Sequence, residues 1–192
     1  GGTWLGVTRQ GGFAAVATRF NAVAQEWALR CTTDDVQGTV NRRVAAQVLA
    51  WLEQSGAPAG ARVLDLGCGS GGLCSAVAQR GLRVVGLDIA PQMLAAARRQ
   101  CAVSHTDALV RLVIGSATAL PFPDASFHAV IAVGLLDYTK WHRWILQDIQ
   151  RILVPQGALI VSVPNTLSLT RLTNPQYVAQ RLAACSIAIT AA

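Results

Sequence analysis

The sequence predicts a doubly wound, mostly parallel α/β sheet with helices on both faces. Short apolar runs alternate with helical patterns from residue 62 onward. The first run, Val63-Leu64-Asp65-Leu66, ends in a turn holding Gly67, Gly69, Gly71 and Gly72 and then enters a helical pattern. A second run, Val84-Val85-Gly86-Leu87, closes on Asp88, twenty-one residues after Gly67. Repeated βα units joined by right-handed crossovers build a parallel sheet. A glycine turn between strand and helix lets the backbone come close to a ligand, because glycine has no Cβ and takes positive φ.

Taken in order, residues 13–30 carry Phe13, Val16, Phe20, Val23 and Trp27 at helical spacing. Val36–Leu52 places Val40, Val44, Val48, Trp51 and Leu52 on one face of a second helix. The breaker cluster Ser55-Gly56-Ala57-Pro58-Ala59-Gly60 stops it. Residues 1–57 are therefore expected to be a helical segment packed on a core of residues 58–192, one structural domain overall. That core should run strand 62–67, helix 71–80, strand 83–88, helix 91–101, strand 110–115 and strand 128–134. Pro91 suits a first helical position, and Met93, Leu94, Ala97 and Cys101 form the buried stripe behind it. Trp141, Trp144, Ile145, Ile149 and Ile152 mark the next helix, which Pro155 and Gly157 are expected to end. Gly157–Val163 is the last strong strand. After it, Arg181–Ala184 can end a helix and Ser186–Thr190 can make one short strand.

Composition narrows the function classes. A chain of 192 residues, 52% hydrophobic and 14% charged, is long enough to bury a real core. No apolar run approaches the ~18 residues of a membrane span. The net charge of +6 comes from scattered arginines, with Lys140 the only lysine. A nucleic-acid face would cluster them in a stripe, so no nucleic-acid partner is expected. Cys31, Cys68, Cys74, Cys101 and Cys185 make no C-x-x-C pair and no zinc spacing. Isolated thiols in apolar contexts read as reduced core cysteines of a cytoplasmic protein, and no metal is expected. The chain starts Gly1-Gly2-Thr3-Trp4, without an initiator Met or a basic-then-apolar leader. It is expected to be processed or a fragment.

The glycine turn admits more than one ligand. Gly67-x-Gly69-x-x-Gly72 satisfies the dinucleotide fingerprint, which is weak alone. Asp88 at the tip of the neighbouring strand can accept both hydroxyls of a ribose. Asp65 points elsewhere: a buried carboxylate sits badly beside a pyrophosphate and suits a cationic ligand or donors of the turn.

Asp65-Leu66-Gly67-Cys68-Gly69-Ser70-Gly71 resembles the first motif of class I S-adenosylmethionine (SAM) dependent methyltransferases, whose fold is Rossmann-like. Later segments resemble the small-molecule, type 11-like branch of that family. Gly115 to Phe127, with Leu120-Pro121-Phe122-Pro123-Asp124, is similar to its loop after the third strand. Arg151-Ile152-Leu153-Val154-Pro155-Gln156-Gly157 is similar to its helix-to-fifth-strand turn, and Phe20–Trp27 to its N-terminal helix start. The likeness covers about residues 13–165.

The resemblance implies SAM as cofactor and no metal. It implies that Gly67, Cys68 and Gly69 wrap the methionine portion, with Gly71 completing the turn and Asp65 ordering the turn and the ligand's amino group. Asp88 takes the ribose hydroxyls, Ile89 covers one adenine face and Met93 touches the adenine from below. Ser116 and Ala117 lie at the adenine edge, and Val133 and Gly134 back the sulfonium. Several positions depart from the family pattern. Ser116 stands where the family usually has Asp, His128 where it often has Asp, and Val154-Pro155-Gln156-Gly157 where it often has Lys-Pro-Gly-Gly. Family members also continue with a helix and an antiparallel strand pair. Thr166–Ala192 is too short for a full pair, so a C-terminal truncation is expected. The strand Ala158–Val161 would then lie near an open edge, an association hazard and a route to a homodimer.

A sulfonium methyl is already electrophilic, so the protein's task is in-line positioning of an acceptor. Proximity and orientation supply on the order of 7–11 kcal/mol in the best cases. Asp137, Tyr138 and His142 follow the fourth strand at the carboxyl edge where substrates bind in such sheets. His142 is the candidate general base. Where related amino-methylating enzymes of nucleic acids carry an Asn/Asp-Pro-Pro-aromatic motif, this chain reads Gly134-Leu135-Leu136-Asp137. A small, apolar acceptor is favoured, such as a quinone precursor, a lipid-like acid or a secondary metabolite. Two alternatives remain: an NAD-linked oxidoreductase, and a catalytically idle SAM-binding or interaction module.

Overall fold

A computed structural model describes residues 9–33, 36–139, 141–163 and 186–190. Two helices come first, α1 (Arg9–Thr32) and α2 (Val36–Gln54). The βα units follow as β1 (Arg62–Leu66), α3 (Gly72–Ala78), β2 (Arg83–Asp88), α4 (Pro91–Val103) and β3 (Val110–Ile114). Then come β4 (Phe127–Ala132), a 3-10 turn (Leu136–Tyr138), α5 (His142–Ile152), β5 (Leu153–Ser162) and β6 (Ser186–Thr190). The sheet order is β3-β2-β1-β4-β5-β6. β1 to β5 run parallel and β6 runs antiparallel to β5. The order reverses direction between β1 and β4, which is where such sheets open a ligand crevice.

Alternation along the strands sorts the core into two layers. Leu64 and Leu66 face one side with Val85, Leu87, Val130 and the Ile145, Ile149 and Ile152 stripe of α5. Val63 faces the other side with Val84, Ile131, Val48 and Leu52 of α2, and Cys74 and Val77 of α3. Burying each such side chain contributes roughly 1.5–3 kcal/mol. The same alternation puts Asp65 on the α3 side of the central strand. Gly86, its register partner on β2, leaves room there: a Cβ would lie 2.8 Å from Cys74 Sγ and 3.0 Å from Cys68 Sγ.

Two expectations change. The helix does not run on to be stopped by Pro155 and Gly157; it ends at Ile152, and Leu153 already starts β5. Pairing then slips, from Phe127 opposite Leu153 to Ala129 opposite Ala158. Two steps along β4 therefore match five along β5, and Pro155, which has no N–H for the ladder, sits in the bulge. Gln156 takes φ +62° within it. The edge of β5 expected to be open is not open either. β6 pairs along it from Ala158 opposite Thr190 to Ser162 opposite Ser186, so the homodimer route through that edge is already occupied. The expected helix end at Arg181–Ala184 lies outside the described residues. Among those residues no helix is long and apolar enough to cross a membrane.

Candidate functional site

The crevice lies at the carboxyl ends of β1, β2, β3 and β4. Leaving β1, the backbone turns through Gly67, Gly69 and Gly71 at φ +80°, +52° and +79°. Gly67 and Cys68 donate their N–H groups to the Leu87 carbonyl at 2.7 and 3.1 Å. Gly71 fits α3 tightly against α4: a Cβ there would lie 2.7 Å from the Ala97 Cβ. Gly71 is therefore a packing residue of the turn and does not line the crevice.

The two carboxylates divide their work otherwise than expected. The Gly69 N–H, which points inward from the turn, donates to Asp88 Oδ2 at 2.9 Å, and the Ala90 N–H donates to Asp88 Oδ1 at 2.9 Å. Asp88, not Asp65, holds the turn to the tip of β2. Burial pushes the Asp88 carboxyl up, opposed by the amides of Ala90, Gly69 and Ile89. Asp65 is 3% exposed and accepts a bond from Cys74 Sγ at 3.1 Å. Burial raises its pKa to about 6, with the Cys74 bond lowering it and the Asp88 charge adding to the rise. The Cys74 thiol is held well above its ordinary range by its contact with Cys68 and by burial, so it stays a donor. A buried carboxylate of this kind is more readily ionised beside a positive charge.

A cavity of about 600 Å³ opens on this turn. Asp65, Gly67, Cys68, Gly69, Asp88 and Ile89 line it from β1 and β2. Met93 of α4 and Ser116 and Ala117 after β3 add a second wall. Ser116 Oγ is 3.0 Å from Thr118 Oγ1 and accepts the Thr118 N–H at 3.3 Å. Val133, Gly134, Asp137 and Tyr138 close the β4 side, where the Gly134 N–H donates to the buried Ser162 Oγ at 2.7 Å.

His142 is not brought there. It does not line the cavity, and its Nε2 lies 2.9 Å from the Leu136 carbonyl oxygen. A carbonyl only accepts, so this nitrogen carries the proton and donates. Trp144 is 51% exposed and, like Trp141, lies off the cavity.

The sequence reading missed the contribution of the first two helices. Phe20 and Trp27 of α1 and Asn41, Val44 and Ala45 of α2 all line the cavity. Phe20 packs edge-on against Trp27 at 6.1 Å and Tyr138 at 4.9 Å between centroids. The Asn21 side-chain oxygen accepts the Gln92 N–H at 3.0 Å and holds α1 to the start of α4. Phe20 and Trp27, seven residues apart on one helical face, were the available signal. Among the described residues no group of three or more His, Cys, Asp or Glu could hold a metal.

Residues 64–161 match a family described as a methyltransferase domain. A demethylmenaquinone methyltransferase of Tropheryma whipplei is 36% identical over 149 residues, 77% of this chain and 58% of that protein. A ubiquinone biosynthesis O-methyltransferase of Pseudomonas entomophila is 31% identical over 115 residues, 60% of this chain and 49% of that protein. The chain thus spans about half the length of these relatives. Among solved structures, the cyclase SpnF is 22% identical with a TM-score of 0.68, covering 78% of this chain and 59% of that one. A protein of Pyrococcus horikoshii is 23% identical with a TM-score of 0.63, covering 78% and 64%. These structures share the fold; SpnF's name, a cyclase, shows that the fold alone does not decide the reaction.

Proposed function

The chain belongs to the methyltransferase domain family, and from that premise we propose that it moves the methyl group of SAM onto a small, apolar acceptor. One observation carries this reading: Asp65, buried and reluctant to ionise, lines the same cavity as the Gly67–Gly69 turn and Asp88. That pair of acceptors fits SAM, which is cationic at one end and carries a ribose. NADH brings a pyrophosphate to the turn, where Asp65 would repel it.

In this reading Gly67, Cys68 and Gly69 hold the methionine portion and Asp65 faces its ammonium. Asp88 accepts the ribose hydroxyls through the capacity its two backbone donors leave. Ile89 and Met93 flank the adenine, and Ser116 and Ala117 meet its edge. SAM supplies an electrophilic methyl group when bound. Val133 and Gly134 back that position, while Phe20, Trp27 and Tyr138 orient an apolar acceptor and exclude water. Where the acceptor is a hydroxyl, Asp137 is the cavity group placed to take its proton. The relatives named for demethylmenaquinone and ubiquinone support an acceptor of that flat, apolar kind. Free buried thiols at Cys68, Cys74 and Cys101 support a reducing, cytoplasmic setting.

Turnover tests the reading against an idle binding module. The protein is incubated with methyl-labelled SAM and a panel of hydroxylated and quinol-like small molecules. Label in an acceptor, with S-adenosylhomocysteine formed in step, is expected. Tight binding of SAM without label in any acceptor would favour the idle module.

A further inference from the structure

The loop from Gly115 to Ser126 carries Ser116 and Ala117, and its two ends are held differently. At its start the Gly115 N–H donates to the Asp88 carbonyl at 3.0 Å. Further on, one side chain of α5 gathers most of the loop. Arg151 Nη1 donates to the Phe122 carbonyl and to Asp124 Oδ1, both at 2.8 Å. Arg151 Nη2 donates to the Leu120 carbonyl at 3.3 Å. Arg151 Nε donates to Asp148 Oδ1 at 2.7 Å, and Asp148 Oδ2 accepts the Leu120 N–H at 2.7 Å. The Arg151 carbonyl itself accepts the Ala125 N–H at 3.0 Å. Buried Leu120 and the edge-on pair Phe122 and Phe127, 5.0 Å between centroids, seat the same segment on the core.

We propose that Arg151 and Asp148 are positioning residues for the cofactor: they fix the wall formed by Ser116 and Ala117, and so set how well the adenine end is held. This rests on the methyltransferase reading above. Ser116 and Ala117 span the gap between the Asp88 anchor and the Leu120 anchor, only three residues past Ala117. The Arg151 fork uses all three of its nitrogens on this task, a geometry an ammonium does not reproduce. Neither residue lines the cavity, so neither acts on the methyl group or the acceptor. Their loss should weaken adenosyl binding and spare the chemical step.

The test uses Arg151→Met and Arg151→Lys, with Asp124→Asn as a milder variant. Asp124 has a side chain 77% exposed, so its substitution keeps the fold if Arg151→Met does not. Hydrogen exchange over residues 115–126 is read alongside KM for SAM, KM for the acceptor, and kcat. For Arg151→Met, exchange in that loop is expected to rise, KM for SAM to climb roughly tenfold, and kcat and the acceptor KM to stay within about twofold. Arg151→Lys should recover only part of the loss, and Asp124→Asn should move KM for SAM in the same direction by about twofold. Unchanged exchange in the loop overturns the proposal whatever ligand binds. Faster exchange with an unchanged KM for SAM, or a fall in kcat alone, also overturns it. Failure of wild-type protein to bind SAM at all would instead overturn the proposed function, and exchange in the loop would still judge the clamp.

Discussion

Replacing Asp65 by Asn removes a charge that the fold holds at a cost. Its carboxyl is raised from 3.8 to about 6, and each pH unit of such displacement is worth about 1.4 kcal/mol. The ionised form therefore costs the folded protein about 3 kcal/mol. Because the folded pKa lies above the unfolded one, the native state binds more protons between pH 4 and 6. Stability accordingly falls as pH rises through that window and stays lowered above it. An Asn keeps an acceptor for Cys74 Sγ, which now donates at 3.1 Å, and carries no charge. Asp65→Asn should melt higher than wild type at pH 8, by about 6–12 °C for a domain of this size. The gap should close as pH falls through about 4, where folded Asp65 is already protonated and the unfolded carboxyl, at 3.8, becomes so. In the presence of a cationic ligand the gap narrows, since the ligand pairs with the Asp65 carboxylate and finds only a neutral acceptor in the amide. Paired melting curves from pH 3.5 to 8, with and without SAM, read both effects. A variant that melts level with wild type at pH 8, or gains as much from SAM as wild type does, would show that the Asp65 charge is neither costly nor used by the ligand.

Asp88→Ala should lose two backbone bonds, from Gly69 and Ala90, at about 1–3 kcal/mol for each donor left buried without an acceptor, and should abolish the melting-temperature rise caused by S-adenosylhomocysteine. Retention of that rise would remove Asp88 from the cofactor site. Gln156→Gly should stabilise the protein by about 1 kcal/mol in chemical denaturation, because Gln156 sits at φ +62° where a side chain costs roughly 1–2 kcal/mol; a loss would show that its side chain contributes more than the strain. His142→Gln should leave the pH profile of turnover unchanged, since His142 does not line the cavity and Gln can replace its bond to the Leu136 carbonyl. Loss of turnover by the 10²–10⁴-fold expected of a missing general base would restore His142 to that role.

Local chemistry was legible in the sequence. A short apolar strand, a glycine turn and a helix follow one another from Val63 to Ala78, and Asp88 needs only the next strand to reach the turn. Even β6 could be read, because Ser186–Thr190 is short and apolar in alternation. The missed features depend on partners far along the chain. Periodicity showed that Phe20 and Trp27 share a face, but a 3.6-residue period does not distinguish core from cavity wall. His142 follows β4 closely in sequence, yet the turn at Leu136–Tyr138 leaves it off the cavity, bonded to the Leu136 carbonyl. Which carboxylate takes the Gly69 amide depends on backbone direction at the turn, which no residue type encodes. Pro155 reads as a helix stop, yet the β5 bulge accommodates it because β4 pairs on either side of the slip.

A thermal-shift titration of the wild-type protein with S-adenosylhomocysteine and with NADH decides between the two cofactors, since a ligand that binds only the native state raises the melting temperature by mass action. A saturable rise with S-adenosylhomocysteine and none with NADH is the predicted result. A rise with NADH alone would contradict the account at its base, because a pyrophosphate would then sit beside Asp65.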